Sequence, residues 1–322
     1  MAPHTQARRQ ACRDLGEVSI RAEVLAGLSA TPRTLPPKLF YDERGARLFE
    51  AISDLPEYYP TRTELSILRA RAADIARLSG PRSALVEYGS GAGIKVRLLL
   101  DALEDPVAYV PVDISREQLD SVSNRLDASY PGLEVLPVHA DYTTRFTLPP
   151  LPESAKRIAF FPGSTIGNFH PAEATAFLQR IRSVVGPDGA LVLGVDRKKD
   201  ARVLHDAYND AEGITAAFNL NMLTRINREL DATFDVDRFR HHAFFNETAG
   251  RIEMHLESLA NQTVEVAGTV IEFEAGETIL TECSYKYDRD RLEGLVEAAG
   301  FRIRELWSDS CDWFWVAFLE PA

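Results

Sequence analysis

The 322-residue sequence predicts an α/β protein: a mostly parallel sheet with helices on both faces, accompanied by a second, smaller α+β part. Three observations lead there. Short apolar runs alternate with helical periodicity from Ala84 to Val195. The alternation breaks over roughly 200–276, where the pattern is mixed and ends in a hairpin-like run, Thr263–Phe273. A helix and an apolar strand then close the chain.

Each element has its own signal. Thr61 and Glu64 stand at capping-box spacing before a helix bearing Leu65, Leu68, Ala72 and Ile75, which Gly80 ends. Ala84–Tyr88 reads as the first strand, and the helix after it carries Val96, Leu99, Leu100 and Leu103 on one face. Val107–Val112 is the second strand; Ser115, with Gln118 in capping-box position, starts the next helix along Leu119, Val122 and Leu126. Leu133–Val138 and Arg157–Phe161 are the third and fourth strands. Pro171 suits the first position of a helix bearing Phe177, Leu178, Ile181 and Val184. Gly186–Gly189 turns into a fifth strand, Ala190–Val195. Asp288–Ala299 is helical with Gly300 as its stop, and Trp313–Leu319 is the last strand. A late strand, a helix and a final strand complete such a sheet. This division assigns 63–199 plus 286–322 to the sheet domain, and 1–62 plus 200–285 to a domain that covers the substrate.

Composition narrows the function. With 45% apolar and 26% charged residues the chain is of ordinary globular type, and its net charge of −12 opposes a nucleic-acid or anionic-membrane partner. The longest apolar runs are strand-sized, too short to cross a bilayer. Arg8, Arg9 and Arg13 precede no apolar core, so no secretory leader is expected, and Asp14 and Glu17 interrupt any targeting segment. Cys12, Cys283 and Cys311 have no CxxC spacing, which points away from a disulfide framework and toward a reducing cytoplasm. Adjacent His241 and His242 diverge on a strand and His255 lacks a partner at ligand spacing, so no metal is expected.

The informative motif is Glu87-Tyr88-Gly89-Ser90-Gly91-Ala92-Gly93, directly after the first strand and opening a helix. Small residues there let the backbone approach a ligand at the carboxyl end of a parallel strand. A dinucleotide loop wants glycine where Ile94 stands, whereas an acid before the loop is more typical of S-adenosylmethionine sites. Asp113, ending the second strand, can accept both ribose hydroxyls or simply start a helix. Asp141 can take the adenine amino group or sit in a solvated loop, and Tyr142 can lie on the ring. Lys95 can pair with the cofactor carboxylate or be an exposed helix lysine. Together these strand-end features read as an adenosyl site. After the fourth strand no N/D-P-P-Y-like motif appears, and Ser164 does not centre a nucleophile elbow; Asn168 offers a neutral amide for a carboxylate.

Further blocks make the reading specific. Pro36-Pro37-Lys38-Leu39-Phe40-Tyr41-Asp42, Leu55-Pro56-Glu57-Tyr58-Tyr59-Pro60-Thr61-Arg62-Thr63-Glu64 and Gly163-Ser164-Thr165-Ile166-Gly167-Asn168 resemble signature blocks of the L-histidine N-alpha-methyltransferases of ergothioneine biosynthesis. Ala216-Ala217-Phe218-Asn219, Arg251-Ile252-Glu253-Met254 and Thr281-Glu282-Cys283-Ser284 are similar to others, and the likeness runs from about Leu28 to the last strand. The resemblance implies a Rossmann-like class I methyltransferase sheet with a smaller α+β substrate domain. It implies S-adenosylmethionine as cofactor, three methyl transfers to the amine of histidine, and a small amino-acid substrate as the only partner of a monomeric enzyme. By position it implies that Asn168 and Tyr208 hold the substrate carboxylate, and that Glu282 and Ser284 bind the imidazole. Tyr58 and Met254 match other pocket residues, Tyr41 matches a tyrosine near the amine and the candidate proton acceptor, and Gly89, Lys95, Asp113, Asp141 and Tyr142 match cofactor positions. Ala92-Gly93-Ile94 in place of a more polar loop, and Tyr142 where phenylalanine is common, depart from the pattern.

The residue types suit these roles. Thr278–Tyr287 alternates as a strand does, so Glu282 and Ser284 project from one face. A carboxylate and a hydroxyl side by side can bind both imidazole nitrogens; on an exposed strand they would merely be solvated. Met254, between Ile252 and Leu256 on one strand face, also suits core packing, and Tyr58 and Tyr208 suit ordinary half-buried positions. A relative acting on a tryptophan derivative is opposed by the Glu282/Ser284 pair, since an indole has one donor. A nicotinamide-dependent dehydrogenase is opposed by the glycine register, and a non-catalytic ligand-binding relative stays open.

Overall fold

The computed structural model describes residues 20–322, so the basic residues Arg8–Arg13, the acids Asp14 and Glu17, and Cys12 lie outside the described residues. The chain divides into two compact units. One comprises 53–207, 246–251 and 284–322; the other, within the described range, comprises 20–52, 208–245 and 252–283. Residues 53–62, placed with the covering domain on sequence, group instead with the sheet, because the helix Tyr59–Ser79 begins among them and the Tyr59 hydroxyl bonds Asp196 on a sheet strand. The outer boundaries likewise fall at 207/208 rather than 199/200, and at 283/284 rather than 285/286.

The first unit holds an eight-stranded sheet. Its order is Phe301–Ser308, Phe314–Pro321, Ala190–Asp196, Lys156–Phe161, Ser83–Tyr88, Ala108–Asp113 and Glu134–Val135, with Val138–His139 also on Ala108–Asp113. Pairings from Ala190–Asp196 to Val138–His139 are parallel; the two that add Phe314–Pro321 and Phe301–Ser308 are antiparallel. Ser83–Tyr88, Ala108–Asp113 and Ala190–Asp196 are buried along their whole length, as a parallel sheet covered on both faces requires. Ile67, Leu68 and Ile75 from the helix Tyr59–Ser79 pack with Val96, Leu99, Val122 and Leu126 in one core against Leu85, Tyr109 and Phe160.

Four local expectations differ from the structure. Ser115 is the N-cap residue of the helix Arg116–Ser129 but makes no side-chain cap bond, so the Ser115/Gln118 capping box is not formed. The run Leu133–Val138 is two short strands, because Pro137 has no N–H to give the ladder. The sheet's penultimate strand is Phe301–Ser308, while the late strand Thr278–Tyr285 pairs elsewhere. The helix begins at Tyr59 and has no side-chain cap, so Glu64 is not a capping-box acid.

In the second unit, Arg33–Thr34, Thr278–Tyr285, Arg251–Ser258 and Phe239–Asn246 form a four-stranded sheet in that order, the first pair parallel. Beside it stand the hairpin Gln262–Val266 and Thr269–Phe273, a helix over 20–29, the 3-10 turn Pro37–Phe40 and the helix Ile214–Leu230. Phe40 stacks on Phe218 with ring centroids 4.4 Å apart. Asp42 anchors the same corner, accepting from the Gly45 N–H, Asn221 and Arg228.

Candidate active site

The glycine loop follows the first strand as expected. Gly89 has φ +77°, a conformation glycine adopts without the Cβ penalty of other residues, and a Cβ there would stand 3.7 Å from the Tyr142 ring. Loop and ring are therefore brought into near contact, and the open stretch of the loop lies at Gly91, where a Cβ would meet nothing within 4 Å. Asp113, buried at the end of the second strand, ties the loop down: one carboxylate oxygen accepts from the Ser115 N–H at 2.9 Å, the other from the Ser90 hydroxyl at 3.3 Å. It is thus a helix-start acid and a loop-facing acid at once. Asp141, half-buried, accepts from the Thr143 N–H and hydroxyl.

Aromatic side chains crowd this end of the sheet. Tyr142 sits edge-on or tilted to Tyr88, Phe161 and Phe177 at 5.8–6.3 Å between ring centroids. Burial, with the charges of Asp113 and Asp141 acting in the same sense, holds its hydroxyl well above the ordinary phenol pKa, so it is neutral. Behind the loop, Glu87 is buried and accepts from the Tyr109 hydroxyl. Loss of solvation pushes its pKa up to about 8, against the pull of Tyr109 and Lys95 and helped by Asp113 and Glu64. Glu87 therefore ties its own strand to the neighbouring one, two residues before the loop.

Lys95 is not exposed on its helix. Its ammonium meets Glu64 at 2.6 Å, and Glu64, fully buried, also accepts the Gly163 N–H with both oxygens at 2.9 and 3.0 Å. Gly194 makes this possible, since a Cβ on it would run into the Glu64 carboxylate. Asn168, half-buried, ends the 3-10 turn Thr165–Asn168. The preceding Gly167 lies against the backbone of Tyr285, where a Cβ would come 2.7 Å from the Tyr285 carbonyl, so the Asn168 turn abuts the strand end that bears Ser284. Tyr58, half-buried, is the N-cap residue of the helix Tyr59–Ser79.

Ser284 is 4% exposed and accepts from the Lys286 ammonium at 2.9 Å. Lys286 in turn meets Asp196 at 2.8 Å, and Lys199 and the Tyr59 hydroxyl join the same carboxylate at 2.5 and 2.7 Å. Burial raises the Asp196 pKa, but Lys286 and Lys199 outweigh it and hold the carboxyl below its usual range. Burial brings Lys199 down to about 8 despite that carboxylate. Asp196, Lys199 and Lys286 carry no site signal of their own in the sequence, and Glu64 stands there only as a helix-start acid. Lys286 shows only by position: it continues the every-second-residue series of Glu282 and Ser284.

Tyr41, Tyr208, Met254 and Glu282 belong to the second unit. The Tyr41 ring sits edge-on to Phe49 and Phe218, at 5.8 and 6.0 Å. Tyr208 is buried and its carbonyl contacts His241 Nε2 at 2.9 Å. Met254 is buried with Ile252 and Leu256, as its core-packing role requires, and its carbonyl accepts from the Thr281 hydroxyl. Glu282 is half-buried, two positions before the buried Ser284 on the same strand. Among the described residues no three His, Cys, Asp or Glu side chains group as a metal site. Neither Cys283 nor Cys311 is in a disulfide, and no described helix is long and apolar enough to cross a membrane.

A parallel sheet with an antiparallel final pair, a glycine loop after its first strand and an acid ending its second define a Rossmann-like, S-adenosylmethionine-dependent methyltransferase. A solved S-adenosylmethionine-dependent methyltransferase from Clostridium acetobutylicum ATCC 824 shares this fold (TM-score 0.51, 9% identity, covering 86% of this chain and 98% of that one). The chain belongs to the family of SAM-dependent, histidine-specific methyltransferases, which it matches over residues 20–321. It is 43% identical to the histidine N-alpha-methyltransferase of Mycolicibacterium smegmatis, over 92% of this chain and 93% of that protein. It is also 31% identical to a 4-dimethylallyltryptophan N-methyltransferase of Penicillium roqueforti, over 92% of each.

Proposed function

We propose that the enzyme methylates the α-amino group of L-histidine three times, giving hercynine for ergothioneine biosynthesis. One observation carries this reading: the family match spans 20–321, and so includes the residues of both units that the reading requires. Gly89, Asp113, Asp141 and Tyr142 would hold the adenosyl part of the cofactor, and Lys95 its carboxylate while remaining paired to Glu64. The open space at Gly91, where a Cβ would meet nothing within 4 Å, suits close approach of a ligand to the loop backbone. Asn168 and Tyr208 would anchor the substrate carboxylate, Glu282 and Ser284 the imidazole, with Tyr58 and Met254 lining the pocket. The enzyme acts as a monomer in the reducing cytoplasm, with no metal, nucleic-acid or membrane partner.

S-Adenosylmethionine supplies a methyl group already activated on a sulfonium, so the protein's task is alignment. Anchors on carboxylate and ring leave the amine unencumbered, as three rounds of growing methyl bulk require. The amine is mostly protonated at neutral pH and must lose a proton before attack; Tyr41 is the candidate acceptor. A tryptophan derivative is the competing substrate, given the 31% relative. Its indole has one donor and no acceptor nitrogen, and so leaves half of the Glu282/Ser284 pair unmet. The test is mass spectrometry of products from purified enzyme, cofactor and a panel of amino acids. Methylated histidine is expected; methylation of another amino acid with none of histidine overturns the assignment.

A further inference from the structure

A charged cluster at the carboxyl end of the strand Ala190–Asp196 has no part in the roles assigned so far. Asp196 and Lys286 are each 1% exposed, and the Lys199 side chain 5%. The Asp196 carboxylate receives both ammonium groups and the Tyr59 hydroxyl, and its N–H donates to the Ser164 hydroxyl at 2.8 Å. Burying three ionic groups together is a poor device for stability, because desolvation offsets much of their attraction. It is a good device for fixing one atom in place. That atom is Lys286 Nζ, held 2.8 Å from Asp196 and 2.9 Å from Ser284 Oγ.

An ammonium only donates, so Ser284 Oγ accepts from Lys286 and its own hydrogen must point away from that cation. We propose that Lys286, held by Asp196, is a positioning residue that fixes Ser284 as a hydrogen-bond donor, so that the strand selects the neutral imidazole of histidine. Ser284 donates to the bare ring nitrogen, and Glu282, two positions earlier on the strand, accepts from the ring N–H. A protonated ring has no bare nitrogen. It would also place a second cation beside Lys286 in a water-poor setting, where like charges repel strongly. The proposal rests on the reading that Ser284 contacts the imidazole.

The primary test is 15N NMR of ring-15N histidine bound to the unaltered enzyme with S-adenosylhomocysteine, at pH 5.5, below the ordinary imidazole pKa of about 6.5. One protonated and one bare ring nitrogen are expected. Two protonated nitrogens overturn the proposal alone, whereas absence of any bound histidine both at pH 5.5 and in a parallel sample at about pH 8, where the free ring is neutral, overturns the substrate reading and the proposal with it. Kinetics give an independent check through Lys286→Met, Ser284→Ala and the double variant. Each single change is expected to raise KM for histidine by about tenfold, the order of one lost hydrogen bond, with S-adenosylhomocysteine affinity within twofold of wild type. Because Lys286 acts through Ser284, the double variant should be no worse than Ser284→Ala. Additive losses, or a fall in cofactor affinity matching the rise in KM, would show a merely structural lysine. Should Lys286→Met not fold, the NMR experiment on the unaltered protein decides.

Discussion

At the scale of single residues, two carboxylates, one half-buried and one fully buried, lead to opposite expectations. Glu282 can accept a ring N–H on the proposed reading, and a hydrogen bond to a charged group is worth about 1.5–3 kcal/mol. Glu282→Ala should therefore raise KM for histidine by roughly ten- to a hundredfold while cofactor affinity, measured by calorimetry, stays the same; unchanged kinetics would remove Glu282 from the site. Glu87 works against the fold instead. Its pKa of about 8 lies above the ordinary 4.5, so the folded state holds the proton more tightly than the unfolded chain. The stability attached to this group is complete below pH 4.5 and is lost progressively as pH rises through 8, by up to ~5 kcal/mol for a shift of this size. Glu87→Gln keeps an acceptor for the Tyr109 hydroxyl and has no charge to bury. Its melting temperature should match wild type near pH 5 and exceed it by several degrees at pH 8.5; a constant offset across that range would count against the shifted carboxyl.

At the scale of elements, the strand Ala190–Asp196 serves the site at two points. At Gly194 it leaves room for the Glu64 carboxylate, which joins the helix Tyr59–Ser79 to the Gly163 N–H and to Lys95. At Asp196 it gathers Lys199, Lys286 and Tyr59. Gly194→Ala would drive the Glu64 carboxylate off both partners. Overpacking of this kind costs about 1–3 kcal/mol, and the displaced Lys95 should also lower cofactor affinity. A melting-temperature loss accompanied by a several-fold weaker cofactor affinity is expected, and Glu64→Gln should reproduce the second effect with less of the first. The sequence made much of this framework legible, because strands buried on both faces are continuous apolar runs and because Pro171, Gly80 and Gly186 mark helix ends. Phe301–Ser308 escaped notice: it is an edge strand with Arg302, Arg304 and Glu305 along it, and a bulge between Ile303 and Glu305 breaks its period. Gly89 and Asp113 were legible from their strand-end positions. The pairing of Asp196 with Lys286 was not, since two positions so far apart in the chain share no local pattern, and Glu64 imitated a capping acid while serving as a buried bridge.

At the scale of the whole molecule, the proposed reaction must repeat on one amine without losing the substrate's anchors. Each methyl added enlarges the nitrogen and changes its hydrogen-bonding capacity, so a site that held substrate mainly by the amine would weaken at every turn. The residues assigned to substrate instead serve the two ends remote from it: Asn168 and Tyr208 for the carboxylate, and Glu282 with Lys286-supported Ser284 for the ring. Binding energy drawn from non-reacting parts of a substrate is common to all three rounds and can align each in turn. N-α-monomethyl- and N-α,N-α-dimethylhistidine should therefore both be substrates, with KM values within about tenfold of histidine's, and trimethylhistidine should accumulate as the end product. A time course followed by mass spectrometry, started separately from each methylated form, distinguishes this from the alternative. If the dimethyl form were not consumed, or if each methyl raised KM a hundredfold, the amine itself would have to be a principal anchor, and the assignment of carboxylate and ring residues would need to be redrawn.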